Sequence, residues 1–311
     1  MEIIVPVLLL ILGFVMLIKG ADWFVDGAAG IAARFGIPQL VIGLTIVAMG
    51  TSAPEAAVSI TAALNDNAGI TIGNVLGSNI LNILVILGAT AIITAVAVQK
   101  STVKIEIPFM LFVTAVMMWL GYTGNMIVLW EGIVLWVLFV IYFAYLFVMA
   151  KKGQAEEEEA EPKPLWLQIV MLVGGMVLIV LGSDFTVDNA SIIAKVFGMD
   201  DRLIGLTIVA FGTSLPELVT SVTAATKGKA DIAIGNIVGS NIFNLLFVVG
   251  TTALITPVAF KMNFMIDSVI AILAGVLLWI GVFKDMKLKR PIGIVMLMGY
   301  AAYFIYLLFL G

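Results

Sequence analysis

Glu55 and Glu217 each close the sequence G-T-S-x-P-E within a stretch that otherwise reads as buried in lipid. One copy is Gly50-Thr51-Ser52-Ala53-Pro54-Glu55 and the other is Gly212-Thr213-Ser214-Leu215-Pro216-Glu217. A second pair of near-copies follows: Gly73-Asn74-Val75-Leu76-Gly77-Ser78-Asn79-Ile80-Leu81-Asn82, then Gly235-Asn236-Ile237-Val238-Gly239-Ser240-Asn241-Ile242-Phe243-Asn244. A carboxylate in hydrocarbon is costly and marks a functional site by default. Thr51 and Ser52 stand four and three residues before Glu55, so both hydroxyls can share its helix face. Ser78 and Asn82, and Ser240 and Asn244, repeat the four-residue spacing. Pro54 and Pro216 lack an amide donor and clash with the carbonyls of Gly50 and Gly212. Backbone oxygens freed in this way, with Ala48 and Ala210 as further candidates, are tolerated in lipid only if something re-satisfies them. A bound cation can do so. Carboxylates, hydroxyls, amides and carbonyls form a hard-oxygen set that suits Na⁺ or Ca²⁺ and not soft transition metals. Two ionised glutamates balance one Ca²⁺. Several Na⁺ could take overlapping ligands, and that competition would couple the two ions.

These residues need membrane-spanning elements to hold them. Hydrophobic residues make up 62% of the chain and charged residues 12%, far below the roughly 25% charged of soluble proteins. Ten apolar runs of spanning length are predicted, at about 3–22, 38–64, 70–95, 104–122, 126–149, 165–186, 200–226, 232–256, 263–283 and 291–310. They are too long and too continuously apolar for barrel strands, so the fold class is an all-α integral membrane protein. There is no cysteine and no histidine. Disulfides, thiolate sites, the usual zinc sites and histidine relays are therefore excluded. The first run has no basic region and cleavage site before a soluble body, and it reads as a retained helix.

The chain divides into a first half, 1–150, an acidic linker, 151–164, and a second half, 165–311. The linker carries Glu156-Glu157-Glu158-Glu159 and reads as a solvated tether, with a calcium-sensing patch as the alternative. Residues 41–84 and 203–246 are identical at 27 of 44 positions, in register at a constant offset of 162. The duplicated blocks occupy about 38–84 and 200–246. Upstream, Gly20-Ala21-Asp22-Trp23-Phe24-Val25-Asp26 parallels Gly182-Ser183-Asp184-Phe185-Thr186-Val187-Asp188. Five spans per copy is an odd number, so two copies in series must enter the membrane from opposite sides. That is an inverted repeat, and it gives the two glutamates a route to meet near the midplane. With loops assigned alternately, 13 of the 16 lysines and arginines fall on one side, leaving only Lys195, Arg202 and Lys261 on the other. The positive-inside rule then puts both termini outside and the 151–164 linker in the cytoplasm.

The paired G-T-S-x-P-E and G-N-x-x-G-S-N-I-x-N segments resemble the two repeats of the cation/calcium exchanger superfamily, in particular prokaryotic and archaeal Na⁺/Ca²⁺ exchangers. The resemblance covers nearly the whole chain. It implies an ion site on the second, third, seventh and eighth spans, with Glu55 and Glu217 as the central carboxylates. Thr51, Ser52, Thr213, Ser214, Ser78 and Ser240 would supply hydroxyl or backbone oxygens. Ala48 and Ala210 would supply carbonyls to flanking Na⁺ sites, and Asn82 and Asn244 would complete the centre. It further implies alternating access, with the first and sixth spans sliding on the bundle, and electrogenic exchange of several Na⁺ for one Ca²⁺. Asn244 stands where the K⁺-dependent branch carries aspartate, so K⁺ co-transport is not expected. The G-N-A-x-E motif of the H⁺/Ca²⁺ branch is absent, which argues for Na⁺ as the driving ion. The linker is too short for the calcium-sensing domains of animal exchangers.

Structural roles compete with these readings. Gly73, Gly77, Gly235 and Gly239 have the spacing of close helix packing. Asn74, Asn79, Asn236 and Asn241 can serve as interhelical hydrogen-bonding groups. Asp22, Asp26, Asp184 and Asp188 fall near predicted helix ends and read as interfacial caps. An H⁺/Ca²⁺ antiporter is the nearest rival function. A Ca²⁺ channel would want a ring of acids around a symmetric pore, and an enzyme would want a base beside its serines. No enzymatic activity, cofactor, nucleic acid or obligate protein partner is expected. The partners are Na⁺, Ca²⁺ and the lipid bilayer.

Overall fold

A computed structural model describes residues 3–65, 68–152, 163–199 and 210–309, without the side chains of Ala210 and Phe309. Among the described residues, eight helices are long and apolar enough to cross a membrane. They are α1 (Ile4–Phe35), α4 (Ala68–Ile93), α5 (Thr102–Gly124), α6 (Leu129–Lys152), α7 (Leu165–Val196), α10 (Ala230–Ile255), α11 (Met262–Phe283) and α12 (Arg290–Phe309). A further span is broken: α2 (Gln39–Thr51) and α3 (Ala53–Leu64) meet at a 50° bend. The span expected at 200–226 begins outside the described residues. Its described part is the short α8 (Ala210–Gly212) followed by α9 (Leu215–Thr226). Most of the acidic linker also lies outside them.

The expected ends of two spans are corrected. The first helix does not stop near residue 22, nor the second copy's near 186; both run 32 residues, to Phe35 and Val196. At 1.5 Å per residue each is about 48 Å long, well beyond a hydrocarbon layer of about 30 Å. Asp22, Asp26, Asp184 and Asp188 therefore lie inside helices and cap nothing. Asp22 and Asp26 instead pair with lysines of the α9–α10 connection. Lys227 Nζ lies 3.2 Å from Asp22 and 3.0 Å from Asp26, and Lys229 Nζ lies 3.2 Å from Asp26.

The helices α1 and α7 pack along their length, because glycines let their backbones touch. A Cβ on Gly20 would come within 2.9 Å of the Gly175 carbonyl oxygen. One on Gly175 would reach within 2.5 Å of the Phe24 nitrogen. Lipid supplies no hydrophobic drive for helix association, so close van der Waals contact of this kind must supply it. The outer faces of both helices expose Ile, Leu, Val and Phe side chains, including Leu8, Ile11, Val173 and Val177, as lipid contact requires.

The most enclosed elements are α4 and α10, which carry the duplicated asparagine segments; α10 is almost entirely covered by protein. Among the described residues, four two-residue strands staple the helix ends, a feature with no signal in the hydropathy pattern. Strand β1 (Val96–Ala97) pairs antiparallel with β4 (Lys287–Leu288), and β2 (Met126–Ile127) with β3 (Val258–Ala259). Each pairing joins one half of the chain to the other.

Candidate functional site

The bend between α2 and α3 falls at Ser52, two residues before Pro54. Proline is tolerated in the first turn of a helix, where its missing N–H would have had no intrahelical partner. The chain therefore ends one helix at Thr51 and starts another at Ala53. The second copy repeats the break, with α8 ending at Gly212 and Pro216 second in α9. Glu55 and Glu217 thus sit in the first turn of the helices that restart, where exposed N–H groups favour negative charge. Both are fully enclosed.

The two copies interlock around these carboxylates. Ser52 donates to Glu217 Oε1 at 2.8 Å, and Ser78 to Glu55 Oε1 at 3.5 Å. The Ser78 hydroxyl is 3.4 Å from that of Ser214. Thr51 donates to Asn236 Oδ1 at 2.9 Å, and Asn236 in turn donates to Ser221 Oγ at 3.0 Å and to the Glu217 carbonyl at 3.5 Å. The equivalent Asn74 bonds Ser59 Oγ at 3.0 Å and the Glu55 carbonyl at 3.3 Å. Asn79 and Asn241 exchange side-chain-to-backbone bonds of 3.1 and 3.2 Å. Outside them, Asn82 donates to Asn241 Oδ1 at 3.0 Å and Asn244 to Asn79 Oδ1 at 3.3 Å. Asn82 and Asn244 each open a π-helical turn, Asn82–Leu87 and Asn244–Val248. Such turns displace side chains from the regular helical face and recur at functional sites.

Among the described residues of these two motif pairs, four buried oxygens have no hydrogen-bond partner: Glu55 Oε2, Glu217 Oε2, Asn82 Oδ1 and Asn244 Oδ1. Each belongs to one of two equivalent pairs, one pair of carboxylates and one of amides. A buried polar atom without a partner costs about 1–3 kcal/mol, and more when charged. The amide nitrogens are all engaged, so both carboxamides present only oxygen. Among the described residues no group of three or more acidic, histidine or cysteine side chains gathers. The site therefore combines two carboxylates with neutral oxygens. That set suits a hard cation, and its charge equals that of one divalent ion.

The Ala48 carbonyl lies between the copies, accepting the Ser52 N–H at 3.0 Å and the hydroxyls of Ser240 and Thr51, each at 3.3 Å. The carbonyl of Gly212 accepts Ser183 Oγ of α7 at 2.8 Å, which ties the second break to a long outer helix. The Thr213 side chain is half-buried beside this break. Ser59 and Ser221, fully buried anchors of Asn74 and Asn236, were not among the expected site residues. Their signal was present: they are an identical pair at the 162 offset, one helical turn beyond each glutamate.

The family model described as "Sodium/calcium exchanger protein" matches residues 5–148 and 167–309. The sodium/calcium exchanger MaX1 of Methanosarcina acetivorans is 32% identical over 99% of this chain and 100% of its own. The inner membrane protein YrbG of Escherichia coli is 37% identical over 87% of this chain and 88% of its own. Among solved structures, the sodium-calcium exchanger NCX_Mj soaked with zero Na⁺ and Ca²⁺ superposes with a TM-score of 0.86 at 33% identity. That match covers 98% of this chain and 99% of the other.

Proposed function

The chain belongs to the sodium/calcium exchanger family, and from that premise we propose that it exchanges Na⁺ for Ca²⁺ by alternating access. One observation carries this reading: Glu55 and Glu217, from the two copies of one motif, share a buried site in which two carboxylate and two carboxamide oxygens have no partner among the described residues. A Ca²⁺ neutralises both carboxylates. Na⁺ ions occupying the same oxygens displace it, so neither ion is held fully while the other is present. With neither bound, two charges face each other in a low-dielectric interior, which opposes return of an empty carrier. More than two Na⁺ per Ca²⁺ makes the cycle electrogenic.

The reading includes ten spans in two inverted five-helix repeats, with 200–226 as the seventh. Residues 1–150 and 165–311 are the repeats and 151–164 the cytoplasmic linker. Both termini are extracellular, following the lysine-rich loops. The full ligand set is Glu55, Glu217, Asn82, Asn244, Thr51, Ser52, Thr213, Ser214, Ser78, Ser240 and the carbonyls of Ala48 and Ala210. Transport is independent of K⁺, since Asn244 adds no third carboxylate, and it needs no cofactor, enzymatic step or protein partner.

The test is radioactive Ca²⁺ uptake into proteoliposomes loaded with Na⁺ and diluted into Na⁺-free, K⁺-free, pH-clamped buffer. Uptake that requires internal Na⁺ is expected. Uptake that ignores Na⁺ and follows an imposed pH gradient would replace Na⁺ by H⁺ as the coupling ion. Single-channel conductance would overturn the antiporter reading.

A further inference from the structure

A second polar cluster lies away from the exchange site, between α5 and α6. Glu106 and Thr102 are fully buried in the first turns of α5, and Tyr142 of α6 is 3% exposed. Tyr145 donates its hydroxyl to Glu106 Oε1. Ser101 and Thr102 precede Glu106 by five and four residues, about one turn of the π-helical segment that opens α5, and Tyr142 stands one turn before Tyr145 on α6. Yet Glu106 Oε2, Ser101 Oγ, Thr102 Oγ1 and Tyr142 Oη have no hydrogen-bond partner. These oxygens belong to residues within one helical turn of the carboxylate or of its tyrosine partner.

The repeat shows that this arrangement is built. Equivalent residues are 162 apart as far as the first strands, where Val96 of β1 answers Val258 of β3. Further on they are 161 apart: Asn125 and Met286 share a left-handed backbone, with φ of 53° and 50°, and α6 and α12 begin at Leu129 and Arg290. The first copy therefore holds one additional residue between β1 and Asn125, the stretch occupied by α5. That helix opens on a π-turn, Thr102–Glu106, whereas α11 is α-helical throughout. A π-turn closes its hydrogen bond over one more residue than an α-turn, so it accommodates the insertion. Beyond it, Glu106 answers Asp267, and Tyr142-Phe143-Ala144-Tyr145-Leu146 answers Tyr303-Phe304-Ile305-Tyr306-Leu307. In the second copy, Tyr303 donates to Asp267 Oδ1 at 2.9 Å. Both copies thus pair the acid with a tyrosine, but through different positions: Tyr303 answers Tyr142, whereas Glu106 is bonded by Tyr145, one turn further along. Among the described residues, the π-turn and the unpartnered oxygens of Ser101, Thr102, Glu106 and Tyr142 belong to the first.

We propose that Glu106, with the hydroxyls of Ser101, Thr102, Tyr142 and Tyr145, binds one monovalent hard cation, Na⁺, at a site separate from the exchange centre. One carboxylate and four hydroxyls give a single negative charge among oxygen ligands. A monovalent cation leaves the complex neutral; a divalent one would leave an unbalanced charge in a low-dielectric interior. The cluster shares no side chain with the exchange site. Its backbone is fixed independently, with Trp279 Nε1 of α11 donating to the Val103 carbonyl at 2.8 Å.

The experiment uses the full chain in lipid nanodiscs, carrying Glu55→Gln and Glu217→Gln so that the exchange site contributes no Na⁺ signal. Hydrogen exchange at residues 101–110 and 142–149 is followed as Na⁺ replaces N-methylglucamine at constant ionic strength. Saturable slowing by Na⁺ is expected in this background and should vanish with Glu106→Gln. Thr102→Val keeps the Glu106–Tyr145 bond and removes one ligand. It should raise the half-saturating Na⁺ concentration about tenfold, equivalent to roughly 1.4 kcal/mol; this variant decides the question if Glu106→Gln does not fold. The proposal is overturned if these amides ignore Na⁺, or if the effect survives both substitutions unchanged. It is equally overturned if protection follows pH alone, which would make Glu106 the carrier of a proton.

Discussion

Glu55 and Glu217 burden the fold unless a cation is present, because two enclosed carboxylates each leave an oxygen unpaired. Their replacement by glutamine keeps the shape and removes the charge on which the proposed ion site depends. Either Glu55→Gln or Glu217→Gln should therefore lower Ca²⁺ exchange by at least about a hundredfold, the loss of one charge-assisted contact or more. The protein should still elute as a folded species on size exclusion; normal uptake in either variant would remove the two-carboxylate site. Ser52→Ala tests the crossing between copies. It deletes the 2.8 Å bond to Glu217, and bonds to charged groups contribute about 1.5–3 kcal/mol. Ca²⁺ affinity, measured by isothermal titration, should fall about tenfold or change in selectivity over Na⁺; an unchanged isotherm would place Ser52 outside the site. The carboxylates were legible in the sequence because a charge amid apolar residues has few reasons to persist, and its duplication leaves fewer. The bonds Thr51–Asn236 and Asn79–Asn241 were not. They join segments far apart in the chain, and side-chain spacing encodes neighbours on one helix, not partners across two.

Each element shapes the site through a departure from regular helix. Proline restarts α3 and α9 so that the glutamates occupy first turns, and π-turns begin at Asn82 and Asn244. The proline breaks could be read from composition, since the missing donor is a property of one residue. The π-turns could not, because an inserted residue is visible only once both copies have been placed in space. The same limit shortened the expected first and sixth spans. Asp22 and Asp184 looked like ends because aspartate is costly in lipid, but lysines of a distant connection offset that cost at Asp22. The α1–α7 contact gives an element-level prediction. Gly175→Val would force a side chain into the Phe24 backbone, whereas the adjacent Gly174 has Trp23 as its nearest neighbour at 3.9 Å. Overpacking costs about 1–3 kcal/mol even where side chains can yield, and here the obstacle is backbone. Thermal unfolding in detergent should show a lowered Tm for Gly175→Val and little change for Gly174→Val. Equal effects would mean that the two helices do not rely on this approach.

The molecule as a whole is more symmetric at its centre than at its faces. Around the glutamates the bonds of Asn74, Asn79 and Asn82 recur at Asn236, Asn241 and Asn244. At the α9–α10 connection, Lys227 and Lys229 grip Asp22 and Asp26 of α1 at 3.0–3.2 Å. At the 162 offset the positions of these lysines answer Asn65 and Asn67, and those of the aspartates answer Asp184 and Asp188. One face therefore ties a long outer helix to the bundle through ion pairs that Asn65 and Asn67, being uncharged, cannot form. If the two states of the transporter exchange the roles of the two copies, this tether favours the state in which it is made. Exposed ion pairs contribute roughly 0–1 kcal/mol each, so the set should bias the two states by about 1–2 kcal/mol, a ratio of about ten. The chain has no native cysteine, which allows spin labels to be placed without background. With labels at Trp23→Cys on α1 and Ile70→Cys at the start of α4, both exposed, the interlabel distances report the position of α1 against the bundle. Lys227→Gln with Lys229→Gln should move population from the major distance to a minor one, and high salt should do the same to the unmodified protein through screening. Distances indifferent to both would mean that the ion pairs decorate the surface and leave the resting state to the packing of α1 on α7.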